Sequence, residues 1–313
     1  MIKKIAVIGT GVIGAGWIIR ILAHNKKVIA YDKNARLEKK LISEIKRVWP
    51  SVKKLFNNKK LNLKNFKYVT SIEEAVKEAD FIQECATEDY KIKTKLMNNI
   101  GKFAKHNAII SSSSSGLLPT RIYSKCKNPH RTMIAHPFNP VYMCPGVEIV
   151  PGKKTKKKFL NKANKFYKSI SMNPIMIKKE LPGYLSDRLQ EALWREALHI
   201  VNEGYASTKE LDRAIEDGPG LRWSLMGTFL TFHLAGGKAG MKHMLEQFGP
   251  ALKLPWTKLK APTLSKKLST RVIAGTKQQA RGKSVEQLSK IRDEYLVNLL
   301  KLRKKYEDKI RKR

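Results

Sequence analysis

The sequence predicts an α/β fold, a doubly wound parallel sheet in the N-terminal part followed by a smaller all-helical C-terminal domain. Three observations carry that expectation. Residues 3–8 are a short apolar run that feeds straight into Gly9-Thr10-Gly11-Val12-Ile13-Gly14 and then into a helical pattern. Strand-like and helix-like stretches alternate through the first half. Beyond Leu181-Pro182-Gly183 only helical patterns remain, which divides the chain into residues 1–180 and 181–313.

The first element is the most informative. In Gly9-x-Gly11-x-x-Gly14 each glycine has a mechanical role. Gly9 permits the tight turn, Gly11 allows close approach to a pyrophosphate, and Gly14 allows helix–strand packing. The helix that follows, through Trp17, Ile18, Ile21 and Leu22, offers free N–H groups and a positive dipole end to phosphates. A second strand, residues 28–31, ends in Asp32, whose carboxylate can accept hydrogen bonds from both ribose hydroxyls. Its charge repels a 2′-phosphate, so the expected cofactor is NAD rather than NADP. Strand, glycines, helix, strand and acid in this order define a Rossmann-type dinucleotide site.

The remaining elements follow in order. A long helix is expected over about 35–55, a strand near 66–70, a short helix over 72–78 and a strand over 80–84. A helix spans about 90–103, and the strand 108–110 runs into Ser111-Ser112-Ser113-Ser114-Ser115-Gly116. Further strands are expected at 132–135, 147–150 and 174–177, with a helix over 156–171. In the second part a helix runs from about 184 to 201, with Leu185, Leu189, Ala192, Leu193 and Leu198 at helical spacing. Ser207 or Thr208 can cap the next helix, and residues 284–313 read as one charged helix with Ile291, Tyr295, Leu299 and Leu302 as its apolar face.

Composition narrows the function classes. No run long enough to span a membrane occurs, and the N-terminus reads as strand rather than signal peptide, so a cytoplasmic protein without membrane attachment is expected. Cys85, Cys126 and Cys144 are scattered, which argues against disulfides and against a metal site. Lys and Arg number 63 against 26 acids, a formal charge of +37. The lysines are spread as pairs such as Lys39-Lys40, Lys59-Lys60 and Lys153-Lys154 rather than along one stripe, and no nucleic-acid motif accompanies them. A solvated basic surface that helps capture anionic NAD is expected, not a nucleic-acid partner.

Oxidising an alcohol by hydride transfer needs a base for the hydroxyl proton, and histidine titrates in the right range. His136 ends an expected strand, where open α/β sheets bind ligands. Glu148 lies 12 residues on in the next expected strand, so a return loop can bring its carboxylate to the far ring nitrogen. The serine run is expected to turn hydroxyls and backbone toward cofactor and substrate. It lacks the Gly-x-Ser-x-Gly elbow of a hydrolase.

Taken together, Gly9 to Gly14, Asp32, Glu84-Cys85-Ala86-Thr87-Glu88-Asp89, the serine run, His136-Pro137-Phe138-Asn139-Pro140 and Glu148 resemble the 3-hydroxyacyl-CoA dehydrogenase superfamily. Pro182-Gly183-Tyr184 and Asp187-Arg188-Leu189 resemble its lead into the helical domain. The resemblance implies His136 as base with Glu148 as its partner, Ser115 beside the substrate hydroxyl, and Glu88, Lys93 and Asn139 near the nicotinamide half of NAD. It also implies a homodimer formed through the helical domain. The segments 193–198, 216–223, 226–237 and 247–259, which include Met226 and Lys258-Leu259, are similar to the branch of that family that oxidises the 3-hydroxyl of L-carnitine. That substrate carries a trimethylammonium group, which aromatic faces and a nearby carboxylate hold. Trp194, Trp223, Phe229, Phe232 and Trp256 are the candidate faces, Asp187 or Glu191 the counter-charge, and Arg222 an anchor for the substrate carboxylate. Asp187 stands where the acyl-CoA branch usually has asparagine, which sets that branch's substrate contact aside. The alternatives are a 3-hydroxyacyl-CoA or gulonate-type dehydrogenase, a dinucleotide-binding structural protein without turnover, and a nucleic-acid binder.

Overall fold

Strands Lys4–Ile8 (β1), Lys27–Tyr31 (β2), Phe66–Val69 (β3), Phe81–Glu84 (β4), Ile109–Ser112 (β5), Thr132–Pro137 (β6), Gly146–Pro151 (β7) and Asn173–Met176 (β8) join in one sheet. Their order is β3-β2-β1-β4-β5-β6-β7-β8. The structure is a computed structural model that describes residues 2–57, 60–225, 227–250, 254–257, 260, 263 and 265–311. Lys59, Met226, Lys258, Leu259 and Arg313 of the sequence features above lie outside the described residues.

From β3 across to β6 every pairing is parallel, and chain order reverses between β1 and β4. That reversal opens the crevice in which such sheets take ligands. The pairing of β6 with β7 departs from a wholly parallel sheet: it is antiparallel, and β8 then runs parallel to β7. An apolar strand pattern carries no direction, and the short connection 138–145 permits the reversal.

Helices Val12–Ala23 (α1), Leu37–Phe56 (α2), Ile72–Val76 (α3), Tyr90–Phe103 (α4), Pro119–Ile122 (α5) and Lys157–Lys168 (α6) complete the first unit. The short α5 carries no sequence pattern that marked it. Side chains alternate across the sheet. Ala6, Ile8, Ile82, Ile110, Ile134 and Val150 face one way and join Ala75, Met97, Ile100 and Ile122 in one core cluster. On the other face Trp17 of α1 and Tyr167 of α6 lie 5.4 Å apart, and Phe81 of β4 stacks at 4.2 Å on Phe166.

Arg20, buried on α1, ties this face together. Its guanidinium donates to the carbonyls of Val141, Cys144, Ile170 and Ser171 at 2.7 to 3.1 Å. Burial pulls that guanidinium down to about 9, still charged at neutral pH.

The chain divides into two compact units, Met1–Asp187 and Arg188–Arg313. The second is helical: Ser186–Glu203 (α7) crosses into it, followed by Thr208–Glu216 (α8), Pro219–Trp223 (α9), Thr228–Ala235 (α10), Met241–Phe248 (α11), Lys266–Ala280 (α12) and Val285–Arg311 (α13). Ser207 caps α8 in a reciprocal capping box with Glu210. Two expected apolar faces are corrected. Leu185 just before α7 and Leu189, Ala192 and Leu193 on it are exposed, while Leu198 and Val201 are buried. On α13, Ile291 (54% exposed), Tyr295 and Leu302 face outward, and Asp293 and Val297 are buried instead. Periodicity located both stripes, but the chain's own packing partners lie on a different side of each helix.

Candidate active site

The glycine turn closes between β1 and α1. Gly9 has φ of 99° and donates its N–H to Tyr31 O at 2.8 Å, and a Cβ there would come within 2.9 Å of Cys85 O. At Gly14 a Cβ would stand 1.9 Å from Gly9 O, so only glycine lets α1 sit this close to the turn. Gly11 is different. Nothing lies within 4 Å of where its Cβ would be, and it precedes α1 without any side-chain cap over the helix start. An open backbone with uncovered first-turn amides fits a dinucleotide pyrophosphate. Asp32 follows β2 and faces the turn, its Oδ2 accepting from Thr10 N at 3.2 Å and Thr10 Oγ1 at 3.0 Å. The residues present therefore fit NAD, with Val12 and Ile13 in the first turn of the helix.

The serine run is mostly spent inside the protein, which corrects the expectation that the run as a whole turns its hydroxyls toward cofactor and substrate. Ser111 and Ser112 are buried in β5. Tyr167 donates to Gln83 Oε1 at 2.6 Å and to Ser111 Oγ at 3.2 Å, while Gln83 and Trp17 both donate to Ser113. Ser112 donates to Glu84 at 2.5 Å, and Ser114 to Glu88 at 2.5 Å. Only Ser115 is exposed, and its amide and that of Gly116 also donate to Glu88 Oε1.

Lys93 and Glu84 form a buried ion pair behind that turn, 1% and 0% exposed, with Nζ 2.9 and 3.1 Å from the two carboxylate oxygens. Burial pushes the Glu84 carboxyl up, against the pull of Lys93 and the Ser112 hydroxyl. Lys93 also donates to Ala86 O at 2.9 Å and lies 3.4 Å from Glu88. The lysine thus reaches the Ser115 turn through Glu88. Glu84 had no signal as a site residue beyond its place at a strand end.

His136 and Glu148 are direct partners in the β6–β7 register. Nδ1 lies 2.8 Å from Glu148 Oε2. The other oxygen of Glu148 accepts from the amides of Leu185 and Ser186, each at 3.0 Å, and Oε2 takes the Ser186 hydroxyl at 2.7 Å. One carboxylate therefore holds the imidazole and caps the start of α7. Burial would raise the Glu148 carboxyl, but His136 and Ser186 outweigh it and hold it below its ordinary value. The rings of Phe138 and Tyr184 flank the imidazole at 5.7 and 5.6 Å between centroids. Asp187 then stands on the opposite side of the ring, Oδ2 3.8 Å from Nε2. Ser186, Tyr184 and Phe138 escaped sequence reasoning because their roles depend on this register.

Asn139 is exposed just past β6. Arg222, Trp223, Phe229 and Phe232 belong to the second unit, on α9 and α10, and all are exposed there, Phe229 at 83%. Trp194 and Trp256 are exposed as well. Among the described residues no three His, Cys, Asp or Glu side chains gather as metal ligands.

A glycine turn at the switch point of a mostly parallel sheet, with an imidazole–carboxylate pair at the carboxyl end of a further strand of that sheet, defines a dinucleotide-dependent dehydrogenase fold. The sequence agrees. Residues 4–181 match the NAD binding domain of 3-hydroxyacyl-CoA dehydrogenase and residues 183–282 its C-terminal domain, and the chain belongs to this family. It is 52% identical to the L-carnitine dehydrogenase of Oceanobacillus iheyensis over 97% of this chain and 99% of that one. To the L-carnitine dehydrogenase of Pseudomonas putida it is 48% identical, over 96% and 93% of the two chains. Among solved structures, an NAD+-dependent 5-formyl-3-hydroxy-2-methylpyridine 4-carboxylic acid 5-dehydrogenase superposes with a TM-score of 0.81 at 23% identity, covering 97% of this chain and 99% of that one. The (S)-3-hydroxybutyryl-CoA dehydrogenase of Ralstonia eutropha gives 0.62 at 22%, covering 90% and 95%. At these identities the two structures speak for the fold alone.

Proposed function

We propose that this chain catalyses the NAD-dependent oxidation of the 3-hydroxyl of L-carnitine to 3-dehydrocarnitine. The carrying observation is the His136–Glu148 pair, with Nδ1 held at 2.8 Å and Nε2 left on the side of Asp187. The names of relatives that match almost the whole chain support the choice of substrate. His136 Nε2 takes the hydroxyl proton, and Glu148 stabilises the imidazolium that results. Ser115, exposed at the end of its turn, orients the substrate oxygen. The Lys93–Glu88 link sets where that turn stands. NAD, when bound, supplies the hydride acceptor. Gly9 to Gly14 and Asp32 hold its pyrophosphate and ribose, and Asn139 serves its nicotinamide end. Trp223, Phe229 and Phe232 of the second unit offer exposed apolar surface and Arg222 an exposed cation. The second unit, residues 188–313, also serves dimerisation, a reading supported by the exposed Leu189, Leu193 and Trp194 along α7. The protein works in the cytoplasm, a reading supported by Cys85, Cys126 and Cys144, none of which is in a disulfide.

NADH formation is measured with L-carnitine, 3-hydroxybutyryl-CoA and gulonate in parallel. Turnover of L-carnitine is expected, and turnover of the thioester alone rejects the proposal. Replacing His136 by Gln is expected to lower kcat by about 10²- to 10⁴-fold. NADH binding, followed by fluorescence, is expected to persist, and undiminished turnover would remove His136 from its role.

A further inference from the structure

We infer that Tyr184 is a positioning residue that sets the spacing between Ser115 and His136. This rests on the proton-transfer reading of the site, in which the imidazole takes the hydroxyl proton and Ser115 orients the same oxygen. Two groups that meet one substrate atom must be held at a fixed separation. Ser115 stands in the turn after β5 and His136 near the end of β6. The ladder that joins these strands ends at Ser112 and Ile134, so it does not itself fix the turn against the imidazole. Tyr184 spans that gap. Its ring lies 5.6 Å from the imidazole between centroids, and its hydroxyl donates to Leu117 O at 2.7 Å, two residues past Ser115.

The flanking residues repeat the tie on both sides. Gly183 donates its N–H to Gly116 O at 3.3 Å, and the amides of Leu185 and Ser186 donate to the glutamate that holds His136. Four consecutive residues therefore grip the serine turn and the proton-handling pair at once. Two features set the tyrosine apart from simple filling. It is fully buried in the apolar cluster on one face of the sheet, where phenylalanine would occupy the same space, so packing does not call for the hydroxyl. Its φ is 46°, a left-handed conformation that a bulky residue rarely adopts and that persists only where the surroundings hold it. Burial keeps the phenol above its ordinary value, so it remains a donor wherever a histidine base works.

The test is a double-mutant cycle on Tyr184→Phe and Ser115→Ala, with L-carnitine and saturating NAD, and with NADH fluorescence titration alongside. Tyr184→Phe keeps the ring on the imidazole and removes the tie to Leu117 O. It is expected to lower kcat about 10-fold while KM and the Kd for NADH stay within about twofold. In the Ser115→Ala background the same change is expected to cost less than about twofold more, because the group it positions is gone. Independent losses that multiply would give the tyrosine to stability or to the imidazole alone and overturn the positioning role, as would an unchanged kcat in Tyr184→Phe. If Ser115→Ala by itself turns over like wild type, the reading of Ser115 falls and takes the role of Tyr184 with it. If wild type oxidises another 3-hydroxy acid and not L-carnitine, only the substrate reading falls, and the cycle run with that acid decides on Tyr184.

Discussion

Glu148 receives three kinds of donor, an imidazole, two amides and a hydroxyl, and its carboxyl is held below its ordinary value as a result. A carboxylate depressed in the folded state adds stability above its unfolded pKa and loses it as pH falls through the folded one. The difference in Tm between wild type and Glu148→Gln is therefore expected to be large at pH 7 and to shrink below about pH 4.5, the ordinary value of the group, as followed by circular dichroism. The glycines separate in the same way. Gly14→Ala drives a methyl into Gly9 O and is expected to destabilise the fold. Gly11→Ala meets no protein atom, so Tm is expected to hold while the Kd for NADH, from fluorescence titration, rises about tenfold or more. Cys85 lies beside this turn, yet burial pushes its thiol up to about 12. The half-buried thiol is expected to react slowly with thiol reagents at pH 8, and rapid labelling of the native protein would contradict its raised pKa.

At the level of elements, strand and helix order was legible because each run carried its own period, from the apolar residues of β1 to the lysine-rich outer face of α6. His136 and Glu148 were legible as candidates through residue type and position. Their register was not, since it follows from the reversed direction of β7, which no residue pattern encodes. The serine run misled because hydroxyls look alike in sequence whether they face solvent or, like Ser111 and Ser112, satisfy Tyr167 and Glu84 in the core. Arg20 gave no signal either: an arginine in an apolar helix is explained only by the four carbonyls around it. Replacing Arg20 by Met strands those carbonyls and is expected to cost at least about 1–3 kcal/mol in urea unfolding.

Over the whole molecule the formal charge is +37. Self-repulsion of this size destabilises the compact state and is screened by salt. Raising NaCl from about 0.02 M to about 0.3 M is expected to raise Tm by a few degrees, and an unchanged Tm would show the charges to be locally compensated. The outward stripes of α7 and α13 bear on assembly. Sedimentation velocity is expected to give a dimer for the native chain and a smaller species for Leu193→Glu, which puts a charge on the exposed side of α7.

The strand reversal has one more consequence. Because β6 and β7 are joined only by residues 138–145, little chain must be closed for histidine and glutamate to come opposite each other. Histidine and glutamate are thus brought opposite each other by a single hairpin, and the first turn of α7 is held on the same carboxylate.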